Sequence, residues 1–204
     1  MKQLGDGRYL TPEELRSAGF KAVGENVQIH SKASLYGLGN MVIGNHVRID
    51  DFTVIIATGP LFLGDYVSIP NFCFLGAKYG IEIGNFVTFA PGVKVFSASD
   101  DYGGQFLTGV AVPREMTGGK HAPVWIEDHV IVGCDSIILP GCRVSQGCAI
   151  GAVSLVKSNL EPWGVYAGVP VKRIKERKQD LLRYSKIIGE KRAGNRKKDS
   201  VGSL

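Results

Sequence analysis

The sequence has no uninterrupted apolar run approaching the ~18 residues that would suggest a membrane span. Its start, Met1-Lys2-Gln3-Leu4-Gly5-Asp6, has neither the apolar centre nor the cleavage pattern of a secretion signal. A cytoplasmic protein is expected. Its four cysteines, Cys73, Cys134, Cys142 and Cys148, never adopt the CxxC spacing of a zinc or redox site, so free thiols are expected. Only four histidines occur, with no HxxxxH pair among them. The 27 glycines follow no Gly-X-Y period, which excludes a collagen-like chain. The net charge of +5 gathers mainly after Lys172 and lacks the neighbouring aromatic platform that a single-stranded nucleic acid would need. That basic run reads as a solvated face whose first part can meet the phosphates of an anionic cofactor.

What is present is a chain of 204 residues, 44% of them hydrophobic, enough for one domain with a true core. Thr11-Pro12-Glu13-Glu14 carries a helix start: a capping threonine, a proline suited to the first helical position and a glutamate that closes a capping box. A short helix to about Ala18 is predicted, within an N-terminal segment 1–22.

From Val23 onward an aliphatic or aromatic residue returns every six positions: Val23, Ile29, Leu35; Ile43, Ile49, Ile55; Leu63, Ile69, Leu75; Ile83, Phe89, Val95. The step between triplets is eight, so a unit is about 20 residues long. Four residues after each anchor a smaller or branched residue often recurs, as in Val47, Thr53, Val67, Cys73, Val87 and Val93. Offsets of zero and four have the same parity, so both side chains face one side of a strand. Six residues hold a short strand and a corner but not a helix and its return. Three sides per turn therefore make a triangular parallel β-solenoid whose coils bury their interiors by stacking. Anchors resume at Ile126, Val132, Ile138, Val144, Ile150 and Val156, with Cys142 and Cys148 among the small companions, giving about six coils.

Between Val95 and Ile126 the repeat stops for one long polar loop, Ser97 to His121, at the corner where each earlier coil carried its two extra residues. Beyond the solenoid, a helix is predicted over 172–189 and disorder over 190–204.

The Ile-Gly-x-x-Val units, with Ile138-Leu139-Pro140-Gly141, Ile150-Gly151-Ala152-Val153-Ser154-Leu155-Val156 and Tyr166-Ala167-Gly168-Val169-Pro170, resemble the hexapeptide-repeat acyltransferases, in particular their sugar and xenobiotic O- or N-acetyltransferase branch. The resemblance implies an all-β, left-handed parallel β-helix over 23–171 and a homotrimer. It also implies acetyl-CoA as cosubstrate in a groove between neighbouring prisms, and a sugar acceptor near the loop. On that resemblance Gly133, Cys134, Gly151 and Ala152 meet the pantetheine arm, while Lys157, Lys172 and Lys175 lie near the adenosine phosphates.

Acetyl transfer needs a base to take the acceptor's proton. Where the related branch has a histidine after a Pro-Gly-Val stretch, this chain has Asp101 after Pro91-Gly92-Val93. Asp101, with Asp100, is one candidate for the base or for orienting the acceptor; His121, the loop's single histidine, is the other. An aspartate site leans towards an amine acceptor, and a histidine site leaves a hydroxyl open. Tyr102, Gln105, Arg114 and Glu115 are candidate contacts to a sugar or pyrophosphate. His30, His46 and His129 are expected to point outward from the prism. Two other readings share the solenoid. One is a catalytically inactive scaffold; the other is a zinc enzyme of the carbonic-anhydrase kind, for which the loop supplies only His121.

Overall fold

The computed structural model describes residues 7–201, with side chains described to Lys191. The absence of a secretion signal over the first six residues, and of order over 202–204, are readings that fall outside the described residues. The chain winds into a left-handed parallel β-helix with three faces. The first face stacks six strands, from Ala22–Val23 through Met41–Ile43, Leu61–Leu63, Ile81–Ile83 and Val124–Ile126 to Arg143–Val144. The third stacks six, from Ser34–Tyr36 to Leu155–Val156. The second carries seven parallel strands, from Gln28–Ile29 to Gly164–Gly168, one rung more than the six coils expected.

Register follows the period. Ile81, Glu82 and Ile83 pair with Leu61, Phe62 and Leu63 above and with Val124, Trp125 and Ile126 below. Every anchor from Ile43 to Val156 is buried, together with Val47, Thr53, Val67, Cys73, Val87, Val93 and the later small companions. Each fully buried aliphatic side chain contributes about 1.5–3 kcal/mol of transfer free energy. The eight-residue step adds a further buried layer: Ala57, Ala77 and Ser97 on one side of the enlarged corner, Met41, Leu61, Ile81 and Val124 on the other. Buried hydroxyls are satisfied, as where Thr53 Oγ1 donates to the Pro70 carbonyl at 2.7 Å.

The tight corners need left-handed backbone. At the corner between first and second faces these positions are His46, Tyr66, Phe86, His129 and Trp163, with φ from 55° to 62°. Their rings stack in a column at centroid spacings of 4.6, 4.8, 5.1 and 6.5 Å, which offsets part of the conformational cost. One residue earlier, Asn45, Asp65, Asn85 and Asp128 form a polar ladder. In it each side-chain oxygen accepts the backbone N–H of the coil above, at 2.7–3.0 Å.

At the N-terminus α1 spans Pro12–Ser17, with the predicted capping box: Thr11 Oγ1 accepts from the Glu14 N–H at 3.2 Å and Glu14 Oε2 from the Thr11 N–H at 2.8 Å. This segment also corrects the reading of His30, which points out of the prism but is buried. Tyr9 packs edge-on against its ring at 5.5 Å and its Nδ1 accepts the Lys32 N–H.

The C-terminal prediction is corrected as well. Val171–Glu176 is not helical; it is a strand that turns back antiparallel on Gly164–Gly168 and covers the last open edge of the second face. The helix, α2, starts only at Leu182 and runs to Val201. The seven-residue spacing of Ile174, Leu181 and Ile188 misled the reading, because Ile174 lies on the strand. Arg177 anchors the junction, its Nη1 donating to the carbonyls of His129, Gly147 and Cys148 at 2.7–3.2 Å.

Candidate active site

The loop leaves the prism between the third and first faces and closes on itself through a two-stranded antiparallel ribbon. Ala98 pairs with His121, Ser99 with Lys120 and Asp100 with Gly119. Paired residues share a face, and so do alternate residues on one strand. Asp100 and His121 therefore project to the same side as diagonal neighbours, a relation that places Cβ atoms about 7 Å apart. Lys120 projects to the other side, towards Gly141 of the next coil. Gly119 has φ 150°, and a Cβ there would collide with the backbone of Ser99 and Asp100. Only glycine lets the two strands close at Asp100.

Asp100 and His121 open on a cleft of about 610 Å³, also lined by Thr58, Lys78, Tyr79, Val112, Arg114 and Thr117. Tyr79 stacks on His121 with centroids 4.5 Å apart and planes 12° from parallel. The tyrosine is fixed from behind: its N–H donates to Ser97 Oγ at 2.9 Å, and that hydroxyl donates to the Gly76 carbonyl at 2.8 Å.

Asp101 has a different role from its neighbour. Its carboxylate accepts the N–H groups of Gly103 at 2.8 Å, Gln105 at 2.6 Å and Phe106 at 2.9 Å. These donors, Phe106 first, hold its carboxyl below the usual carboxylate range. It shapes the loop and is a weak proton acceptor. Of the other loop candidates, Arg114 lines the cleft while Tyr102, Gln105 and Glu115 are exposed and outside its lining.

The proposed cofactor residues form a second cluster at the corner between second and third faces. Gly133 and Gly151 stack, and a Cβ on Gly133 would lie 2.5 Å from Ala152 N; Gly151 in turn faces Ala167. Cys134 is exposed, and its carbonyl accepts the Val153 N–H at 2.7 Å. Ser136 Oγ donates to the Gly151 carbonyl and accepts the Ser154 N–H. The result is a seam of small side chains. Lys172 pairs with Ala167 on the adjoining ribbon, which brings it near this corner, whereas Lys175 pairs with Val165 towards the other end of the second face. Lys157 follows the last strand of the third face and belongs to the opposite corner.

Sequence reasoning missed Thr58, Lys78 and Tyr79. The signal was the eight-residue step itself, since its extra residues, in Ala57-Thr58-Gly59-Pro60 and Ala77-Lys78-Tyr79-Gly80, supply the cleft wall. Among the described residues no group of three or more His, Cys, Asp or Glu side chains could hold a metal ion. No described helix is long and apolar enough to cross a membrane.

Comparison with known proteins gives a consistent picture. The chain is 39% identical over 181 residues to the dTDP-4-amino-4,6-dideoxy-D-glucose acyltransferase of Escherichia coli, covering 88% of this chain and 94% of that one. AntD, an N-acyltransferase from Bacillus cereus solved with dTDP and 3-hydroxybutyryl-CoA, superposes with a TM-score of 0.87 at 38% identity, covering 91% and 98% of the two chains. A serine-to-cysteine mutant of that enzyme has been solved with dTDP-4-amino-4,6-dideoxyglucose and coenzyme A. A hexapeptide-repeat acetyltransferase from Vibrio cholerae shares the fold at 20% identity, with a TM-score of 0.54 and coverage of 82% and 80%. No protein-family profile matches the chain.

Proposed function

Because the chain belongs to the hexapeptide-repeat acyltransferases, we propose that it transfers an acyl group, acetyl in the simplest case, from acyl-CoA to the amino group of a nucleotide-linked amino sugar such as dTDP-4-amino-4,6-dideoxyglucose. The observation that carries this reading is the cleft at the loop base, where a carboxylate and an imidazole face the same space. In the proposed reaction Asp100 holds the acceptor's ammonium group. His121 takes the proton as the amine attacks the thioester carbonyl; imidazole suits that task near neutral pH. A C–N bond forms, the C–S bond breaks, and the proton leaves with the CoA thiolate as free thiol. The seam of Gly133, Cys134, Gly151 and Ala152 receives the pantetheine arm, where missing side chains allow close approach to the backbone. Lys172 stands by for the cofactor's phosphates.

The two clusters sit on opposite edges of the third face, which argues for a homotrimer. If that face turns towards a threefold axis, each copy's cofactor corner meets the next copy's loop corner, in a ring that closes. Supporting this, the outward residues of the third face are mostly apolar, Tyr36, Val54, Ile56, Phe74, Phe96, Ile137 and Leu155 beside Ser34 and Lys94, whereas the second face shows Gln28, Arg48, Ser68 and Thr88 beside Ile131. The loop also exposes Phe106, Leu107, Val110 and Met116, and Phe52 and Phe72 stack in the open at 5.5 Å along one edge. Exposed apolar surface of this extent marks an interface. A cytoplasmic setting fits the four free thiols.

The test is thiol release from acetyl-CoA in the presence of dTDP-4-amino-4,6-dideoxyglucose, with the product identified by mass. Release that requires both substrates supports the reading. A purified chain that binds coenzyme A yet releases no thiol with any amino-sugar nucleotide would leave an inactive scaffold in its place.

A further inference from the structure

The enlarged corners that widen the prism beneath the loop carry a charge that the acyl-transfer chemistry does not use. Lys78 stands on the corner of one coil, exposed, with its Nζ 5.6 Å above the ring of Tyr79. Arg114, on the short turn Arg114–Met116 of the long loop, lines the same cleft. Among the described residues neither cation has a carboxylate partner within ion-pair distance. With Asp100 as the one acid in the lining, the two cations outnumber the carboxylates of the cleft. The hydroxyls of Thr58 and Thr117 add neutral donors to the same wall.

We infer that Lys78 and Arg114 form a two-sided clamp for the diphosphate of the nucleotide-linked acceptor, seating the sugar's amino group against Asp100 and His121. The inference rests on the proposed function and deepens it by assigning the residues that choose a diphosphate-bearing acceptor over a free sugar. A diphosphate offers oxygens to both cations at once, and the guanidinium can engage it in a bidentate way. The tyrosine between the two sites links them, since the ring that Lys78 overhangs is the one stacked on His121. Diphosphate also occurs in coenzyme A, so the test must separate the two sources.

The experiment is calorimetric titration of the full chain with dTDP and, separately, with coenzyme A, for the wild type, Lys78→Ala, Lys78→Gln and Arg114→Ala. Thermal melting is run on each variant; both side chains are exposed, so folding should be retained. The clamp predicts that each variant weakens dTDP binding about tenfold or more while coenzyme A affinity stays within a factor of about two. It also predicts a wild-type affinity for dTDP that falls with added salt. Unchanged dTDP affinity in Lys78→Ala and Arg114→Ala overturns the clamp while leaving the proposed function standing. Loss of coenzyme A affinity with dTDP affinity intact assigns the cations to the donor and overturns it too. A wild-type chain that binds neither ligand removes the proposed function and the clamp together.

Discussion

A carboxylate that accepts three backbone N–H groups is already engaged before substrate arrives, and Asp101 is in that position; Asp100, one residue earlier, is not. The pair separates two roles that sequence alone left joined. Asp100→Asn is expected to lower kcat by about 10²-fold, the size of effect that follows when the group positioning the acceptor's nitrogen is lost. Asp101→Asn is expected instead to act through loop order, raising KM for the acceptor more than it lowers kcat. Steady-state kinetics with both substrates varied decides between them. The pH dependence has a definite sign. Because the folded-state value of Asp101 is lowered, its contribution to loop order is full above the ordinary carboxylate range and is lost as pH falls through the lowered value. Activity between mildly acidic and alkaline pH therefore should not titrate on Asp101. The cysteines give a second residue-scale prediction. Burial pushes Cys73 and Cys148 up to about 11 and raises Cys142, whereas Cys134 is exposed. A thiol reagent should count one cysteine in the native protein and four after unfolding. If the pantetheine arm lies where proposed, saturating acetyl-CoA, whose own sulfur is masked as a thioester, slows that one reaction; an unchanged rate would move the cofactor elsewhere.

The ribbon that carries the loop is the element on which the site depends. Its strands, Ala98–Asp100 and Gly119–His121, set Asp100 and His121 on one face, and they close only because position 119 lacks a side chain. Gly119→Val should therefore leave the prism folded, since the ribbon lies outside its core, while acyl transfer falls at least as far as in His121→Ala. An unfolding midpoint within about 2 °C of wild type, read by circular dichroism, separates this from general destabilisation, because a loss of about 1 kcal/mol in a chain of this size moves the midpoint by 2–4 °C. The same element shows what was legible in sequence. The six-residue period fixed the prism, its faces and the corner where the loop departs, because burial imposes strict parity on every strand. Inside the loop no burial pattern operates, so the pairing that brings His121 back beside Asp100 was invisible, as was the capture of Asp101 by its own turn. Lys78 and Tyr79 went unnoticed for a related reason: they read as mere spacing between triplets. The C-terminal ribbon was misread because Val171 to Glu176 covers an open sheet edge, a need created by the fold and not written in local periodicity.

For the molecule as a whole, the account requires more than one copy. The proposed cofactor seam and the proposed catalytic cleft lie on different edges of the third face, and in the proposed trimer a complete site would draw its donor half from one chain and its acceptor half from the next. Two inactive variants can therefore repair each other. One parent, Asp100→Asn with His121→Ala, keeps an intact seam; the other, Ala152→Trp, keeps an intact cleft and fills the seam. The decisive measurement is thiol release by these two parents, separately and after subunit exchange confirmed by native mass spectrometry. The account predicts inactive parents and a randomly exchanged 1:1 population that regains about a quarter of wild-type turnover, since each mixed trimer keeps roughly one of its interfaces with both halves intact and about three quarters of the trimers are mixed. Mixed trimers that form but stay as inactive as their parents would contradict it, placing both halves of the site within a single chain.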